Sequence, residues 1–490
     1  MKEKEIKIYL EETLRGAGID SLFLMDDISF KRYIDLIYAE NKTKVDLYLA
    51  EELDGNKCRS ELNINLNLFR ITAIALFEYT IFWFMFLFLK IRSGRINRAG
   101  EDSYLVFNSA TNVDRIKGLP KIFDSGKKYK MIYLYNNRIL RAFKHYLSNE
   151  TPKENKAFVG PAAIDFKTIK AAARYRKTGA RLERIICSGG GSSSLSDLLH
   201  QKLIIQIIHQ TWAEKTFRRL KLKGAKPVCL FDLDNSGKEI MLVQELKRNG
   251  IPTVLVQHGI LTNPYLYLPV SRYMLCCSER EKEELIKCGV KPERLYTLGA
   301  PFQTIKRDVR LQAKEMKYSV VVLAGNGSRE LQMQYVDMIK NSAVLNRQTR
   351  KKLRLHPHFT EEYISLWKNG LPDYAVEEAS LLEDLYSSEL IITFSQDALI
   401  NCLRIKKKTV LCLSPGYEEN PFYSFLPGIK FLNIASSSAE LDKEITFLSG
   451  KSAEEYASYI DDDEMRRNFG EDNIEKIKNN FNYFINSIGE

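Results

Sequence analysis

Two tandem, doubly wound α/β lobes, preceded by a helical extension that associates with a membrane, are the fold class this sequence predicts. Three observations lead there. From Tyr104 onward, short apolar runs alternate with amphipathic stretches, the pattern of βα units and a parallel sheet. A polar, basic stretch from Thr304 to Lys317 interrupts the alternation once, and it resumes at Ser319. Ahead of both lies an apolar segment, Leu68 to Leu89, which as a helix rises about 30 Å, enough to cross a bilayer.

The elements follow in order. Residues 1–67 form an acidic N-terminal extension with 10 Lys/Arg against 14 Asp/Glu. Met1 to Asp20 alternates charged and apolar residues and builds no signal peptide. Residues 68–99 are the hydrophobic helix and its basic collar of Lys90, Arg92, Arg95 and Arg98, which suits an anionic headgroup surface on the cytoplasmic side. Glu78 near the helix centre is costly in lipid, so an in-plane anchor competes with a span, and a buried helix of a soluble protein is the third reading. Residues 100–303 make the first lobe, 304–317 the linker, 318–450 the second lobe and 451–490 terminal helices.

Expected strands of the first lobe are Tyr104 to Phe107, Met131 to Tyr135, Arg184 to Cys187, Val228 to Phe231, Thr253 to Val256, Tyr273 to Cys277 and Leu295 to Leu298. Those of the second are Ser319 to Leu323, Lys352 to Leu355, Leu390 to Thr393 and Thr409 to Leu413, and after about Asn433 the chain reads as acidic and helical. Expected helices include Lys238 to Arg248 and Glu279 to Cys288, the latter stopped by Gly289.

Composition narrows the function classes. With 490 residues, 44% hydrophobic and 28% charged, the chain is neither disordered nor polytopic. None of its eight cysteines stands in C-x-x-C spacing, which points to a reducing compartment and away from zinc or redox motifs. The net charge of +11 conceals a body after residue 67 with 63 basic against 48 acidic residues, or +15. That excess suits phosphate-bearing ligands and an anionic membrane, and no basic and aromatic module for nucleic acid accompanies it.

Sheets of this type bind ligands at the carboxyl ends of their strands, so the chemistry is sought there. His258, between Gln257 and Gly259, follows one such strand and has the residue type of a general base; a structural histidine is the alternative. His356, followed by Pro357, stands at another strand end, where an imidazole can bind phosphate; simple strand termination competes. Ser395 and Gln396 open a helix whose amino end offers unpaired amides to a phosphate, or Ser395 is an ordinary cap. The loop containing Gly325, Asn326, Gly327 and Ser328 allows close approach of an anion without the full glycine fingerprint. Asp232 and Asp234 resemble the paired aspartates of dehalogenase-like phosphatases, against a helix-capping turn before Gly237. The Gly189 to Ser194 run reads as a flexible loop.

Four segments in a fixed order, GIPTVLVQHG (Gly250 to Gly259), KPERLYTLGAP (Lys291 to Pro301), LRLHP (Leu353 to Pro357) and LIITFSQDAL (Leu390 to Leu399), resemble GT-B glycosyltransferases of bacterial surface carbohydrate synthesis. Capsule polysaccharide transferases and CDP-glycerol glycerophosphotransferases are among them. The resemblance covers roughly residues 225 to 415. It implies two Rossmann-like lobes, the first taking the acceptor and the second the donor nucleotide. His258 would be the base on the acceptor hydroxyl, with Asp232 or Asp234 its rival. His356, Pro357, Ser395, Gln396 and the 325–328 loop would hold the donor phosphates. Gln257 and Gln396 depart from the glycerophosphotransferase pattern.

The implied activity is transfer of a sugar, or polyol phosphate, from a CMP-, CDP- or UDP-linked donor to a glycan or glycolipid acceptor at the cytoplasmic face of the cell membrane. No cofactor or metal is required by the resemblance, because amides and basic side chains can stabilise the leaving phosphate. The absence of two glutamates eight residues apart between Glu330 and Glu419 favours inversion. A silent scaffold of glycan assembly and a phosphatase built on Asp232 are the alternatives.

Overall fold

The structure, a computed structural model, describes residues 3–20, 30–31, 33–34, 37, 104–109, 130–135, 178–182, 184–186, 193–220, 228–231, 234, 237–257, 268–300, 316–325, 327–357, 359–417 and 426–489. The apolar segment 68–89, its collar and linker residues 304–315 lie outside them. Among the described residues no helix is long and apolar enough to cross a membrane.

The first lobe carries a parallel sheet of β1 (Tyr104–Ser109), β2 (Lys130–Tyr135), β3 (Val228–Phe231), β4 (Thr253–Val256), β5 (Tyr273–Cys276) and β6 (Leu295–Thr297), in the order β2-β1-β3-β4-β5-β6. Helix α1 (Glu3–Gly16), residues of 30–37, α2 (Ser193–Leu220) and α3 (Gly237–Arg248) share one apolar cluster with it. Ile6, Leu10 and Leu14 recur at helical spacing and are buried there, so the described part of the acidic extension packs into the core of this lobe. The Tyr33 hydroxyl donates to Lys202 O on α2, at 3.3 Å.

One expected strand is a helix. Residues 184–186, read in sequence as the start of a strand ending at Cys187, are helical and follow helical residues 178–182. Leu182 and Ile186, four residues apart, are both fully buried, and Ile185 packs beside Gly16 of α1. Short apolar runs fit either element, and tertiary packing decides.

After β5 comes α4 (Glu279–Lys287), capped by Ser278 and ended by Gly289 at φ +90°. Arg294, in the turn before β6, donates to three carbonyls, Pro269 O and Arg272 O at 2.9 Å and Ser271 O at 2.6 Å. The arginine of the KPERLYTLGAP segment thus ties the entries of β5 and β6 together.

The second lobe is a five-stranded parallel sheet, β7 (Tyr318–Leu323), β8 (Lys351–Arg354), β9 (Ser388–Thr393), β10 (Thr409–Cys412) and β11 (Asn433–Ala435), in the order β11-β10-β9-β7-β8. Its helices are α5 (Arg329–Lys340), α6 (Ala343–Asn346), α7 (Glu361–Gly370), α8 (Leu381–Tyr386), α9 (Gln396–Arg404), α10 (Ser438–Ser449), α11 (Ala453–Tyr459) and α12 (Asp462–Phe469), and α13 (Ile474–Gly489) ends the chain. Val320 and Val322 of β7 face one apolar cluster while Val321 and Leu323 face another, as a sheet covered on both sides demands. Asn433–Ala435, expected to lie in an acidic helical tail, is an edge strand paired with β10.

The chain then returns to the first lobe. Ala300 N donates to Glu471 O at 2.8 Å, Asn480 Nδ2 to Leu298 O at 3.1 Å, and Phe484 of α13 packs edge-on against Tyr273 and Tyr296. Gly299, at φ +106°, would place a Cβ 2.8 Å from Glu471 O, so the glycine of the LGAP segment is required by this crossover.

Candidate functional site at the carboxyl edge of the second sheet

In the second sheet the strand order reverses at β7, with β8 on one side and β9 on the other, so the switch point lies between β7 and β9. Leu323 pairs with Arg354 of β8 and with Thr393 of β9, which levels the three strand ends. Two residues beyond that level stand Gly325, His356 and Ser395. Adjacent strands are about 4.8 Å apart, so these residues span roughly 10 Å. Three motifs separated in sequence therefore meet on one edge.

The loop after β7 is pressed against the loop after β9. A Cβ on Gly325 would lie 2.5 Å from Phe394 O, so only glycine fits without displacing backbone. Ala324 N donates to Arg354 O at 3.0 Å, and Phe394 N to Leu323 O at 3.3 Å. Gln332 Nε2 donates to Gly325 O at 2.8 Å. Gly327 and Ser328 lead into α5, where the Ser328 side chain caps by accepting from Leu331 N. The Glu330 backbone amide, followed by the Ser328 hydroxyl, holds the Glu330 carboxyl below its ordinary range, as expected at a helix amino end. Asn326 lies outside the described residues.

Thr393 organises the entry to α9. Its hydroxyl accepts from Ser395 N at 3.0 Å and donates to Ser395 O at 3.1 Å. Ser395 is half-buried, and its own side chain makes no capping bond to the helix. The amino end of a nine-residue helix, beginning at Gln396, thus opens beside a serine that does not cap it. His356 is half-buried with its ring 5.7 Å from that of Phe359, and Pro357, in the turn, is exposed. Chemically, imidazole, hydroxyl and helix-end amides form a donor set for an anion.

A further loop reaches this edge without having been singled out in the sequence. Ser414–Tyr417 after β10 is a turn with Pro415 and Gly416 at its centre, Gly416 at φ +77° and Tyr417 N donating to Ser414 O at 3.2 Å. The Pro-Gly pair is the signal that marks it.

In the first lobe, the positions of His258 and Asp232 lie outside the described residues. The residue before His258 is held firmly: Gln257, 2% exposed, donates from its backbone to Leu275 O and accepts Cys277 N on Oε1 at 3.0 Å. Gln257, noted in sequence as a departure from a family pattern, thus joins the ends of β4 and β5. Asp234 is 1% exposed, and its Oδ2 accepts Ser271 N at 2.7 Å, which links the segment after β3 to the bend before β5.

A cavity of about 570 Å³ opens elsewhere, at the amino edge of the second sheet, around Lys317, Tyr318, Arg350, Lys352, Glu377 and Asp384. Within it Lys317 pairs with Glu377 and Lys352 with Asp384. It lies on the side opposite the strand-end motifs, and Glu377, Glu378, Glu383 and Asp384 outnumber Lys317, Arg350 and Lys352 in its lining, which does not suit a phosphate, so the ligand edge is assigned by topology and not by cavity size. Among the described residues no group of three or more His, Cys, Asp or Glu could hold a metal ion.

The described chain is therefore a two-lobed α/β protein with three loops converging at the switch point of its second sheet. No protein-family model matches the sequence, and no curated protein matches it. Among solved structures it is similar to one assigned as a UDP-N-acetylglucosamine 2-epimerase from Listeria monocytogenes, at TM-score 0.51 and 11% identity over 80% of this chain and 97% of the other. It is also similar to S. aureus MnaA in complex with UDP, at TM-score 0.50 and 12% identity over 79% and 98%. At such identities the likeness is one of fold, the two-lobe arrangement called GT-B.

Proposed function

We propose that the chain is a GT-B glycosyltransferase which moves a sugar, or a polyol phosphate, from a CMP-, CDP- or UDP-linked donor to a surface polysaccharide or glycolipid precursor at the cytoplasmic face of the membrane. The observation that carries this reading is the convergence of Gly325, His356 and Ser395 at the switch point of the second sheet. The UDP bound by one fold neighbour supports a nucleotide as the ligand class.

In this reading the lobe of residues 318–450 takes the donor and that of 100–303 the acceptor. His258 removes the acceptor hydroxyl proton, with Asp232 or Asp234 as the rival base. For a sugar donor the freed oxygen bonds to the anomeric carbon, the bond from that carbon to the phosphate oxygen breaks, and the nucleotide leaves with inversion. For a polyol-phosphate donor the oxygen bonds to the polyol-bearing phosphorus, the anhydride bond breaks and the nucleoside monophosphate leaves. The leaving phosphate is stabilised by the amino end of α9, Ser395 and His356. The apolar segment 68–89 and its basic collar hold the enzyme at anionic lipid.

Thermal shift with CMP, CDP, UDP and GDP tests the donor site. A ligand at a hundred times its Kd contributes about 2.7 kcal/mol, a rise of roughly 5–10 °C in a domain of this size. If all four leave Tm unchanged, the reading fails. A second reading, epimerisation of a UDP-sugar, draws on the fold likeness to the Listeria monocytogenes protein assigned to that activity. UDP-N-acetylglucosamine incubated alone in deuterated water separates the two, because epimerisation incorporates deuterium at C2 without an acceptor and glycosyl transfer does not.

A further inference from the structure

We propose that Gln332, which lies behind the switch point on α5, is the positioning residue that aims the loop after β7 at the donor diphosphate. This rests on the nucleotide reading above and names a residue no motif indicated.

Gln332 is fully buried within the second lobe, on the helix that follows the loop. Its Oε1 accepts the indole N–H of Trp367 at 2.7 Å, and its Nε2 donates to Gly325 O at 2.8 Å. An indole nitrogen only donates, so it fixes which end of the amide faces it. The NH₂ end is thereby committed to Gly325. Trp367, on α7, is itself fully buried and packs edge-on to Phe394, the residue against which Gly325 is pressed. The two loops of the switch point are thus referenced to the same indole, one through packing and the other through Gln332.

A buried polar side chain is costly unless its hydrogen bonds are made. A leucine would fill this place at less risk if packing were the whole requirement. What leucine cannot do is draw the Gly325 carbonyl into the core. Held by Gln332 Nε2, the Gly325 carbonyl is drawn into the core and away from the edge where His356 and Ser395 stand. A carbonyl oxygen only accepts, so turning it inward removes a group that would repel an anion at that edge.

The test compares nucleoside with nucleotide on the full chain, using uridine with UDP and cytidine with CDP as probes, read by calorimetry and displacement. In Gln332→Leu, the nucleoside Kd stays within twofold of wild type while the diphosphate Kd rises tenfold or more. Trp367→Phe keeps the packing, releases the amide to rotate, and raises the diphosphate Kd about threefold; it carries the test if Gln332→Leu does not fold. Equal weakening of nucleoside and nucleotide, or an unchanged diphosphate Kd, overturns the inference and leaves the nucleotide reading intact. If the wild type binds none of the four probes, the nucleotide reading itself falls and this inference with it.

Discussion

Alanine at Gly325 would put a methyl carbon 2.5 Å from Phe394 O and 2.7 Å from Phe394 Cβ. Ordinary contact between carbon atoms begins near ~3.5 Å, so the two loops must separate by about 1 Å. Neither side yields readily. The Phe394 ring lies 4.1 Å from Tyr335 and 5.6 Å from Trp367, and Gln332 holds Gly325 O from behind. Gly325 is not among the glycines with positive φ, so the conflict is steric and not conformational. Overpacking of this kind costs about 1–3 kcal/mol. At roughly 2–4 °C per kcal/mol, calorimetry should show Tm lower by about 2–12 °C. Opening the switch point by 1 Å should also weaken UDP binding about tenfold. Gly428→Ala is the control, since nothing lies within 4 Å of its Cβ position, and its effect should stay within about 0.5 kcal/mol. A Gly325→Ala protein that melts with the wild type would refute the clamp.

Other consequences are checkable by denaturation. Asp384→Ala leaves Lys352, whose side chain is 2% exposed, without its ion-pair partner and should cost about 3–5 kcal/mol in urea unfolding; Lys352→Met with Asp384→Leu should recover most of it. Asp442 accepts from the Ser342 hydroxyl and from Ala343 N and Val344 N at 3.0 and 3.1 Å, bridging α10 to the start of α6, so Asp442→Ala should lose about 1–2 kcal/mol. Burial pushes the Lys407 ammonium down to about 8 from 10.5. A base whose folded pKa is lowered carries its full cost below pH 8, and the cost is relieved as pH rises from 8 to 10.5, where only the unfolded chain stays protonated. Lys407→Met should therefore gain about 1–2 kcal/mol at pH 7 after allowance for partial exposure, and the gain should vanish near pH 10.5.

What could be read from the sequence divides along a physical line. Strands such as Ser319 to Leu323 were legible because burial on both faces writes a continuous apolar run. Val228 to Phe231 and Thr253 to Val256 coincide with β3 and β4 for the same reason. The run at 184–187 was misread because three apolar residues after an arginine carry no period, and contact with α1 settles their conformation. Asn433–Ala435 is too short to write any pattern. At the switch-point edge, each motif was legible as a strand end, but not which strands were neighbours. The register of Leu323 with Arg354 and Thr393 supplies that. Gln332 and Trp367 lie 35 residues apart and meet in the core, so no local signal exists for them. Gly299 is required by Glu471, a contact across more than 170 residues.

These constraints bear on how the proposed donor site would operate. Gly325 is fixed by close approach to Phe394, by Gln332 from the core, and by the bond from Ala324 to β8. Ser395 is fixed by two bonds to Thr393. All of them are made within one lobe. Binding a phosphate there would order little further chain, and the entropy that usually opposes association is already spent in folding. Among the described residues the first lobe meets the second through the crossover in which Gly299 and Ala300 meet Glu471, Gly470 lies against Cys277 O and α13 packs on β5 and β6, and through the pair of Arg467 on α12 with Glu283 on α4. Donor affinity should therefore be a property of the second lobe. The relation between donor and acceptor should be a property of the crossover. In the proposed division the buried amide of Gln332 would govern the phosphate, and the backbone contact at Gly299 would govern where the lobe proposed to take the acceptor stands.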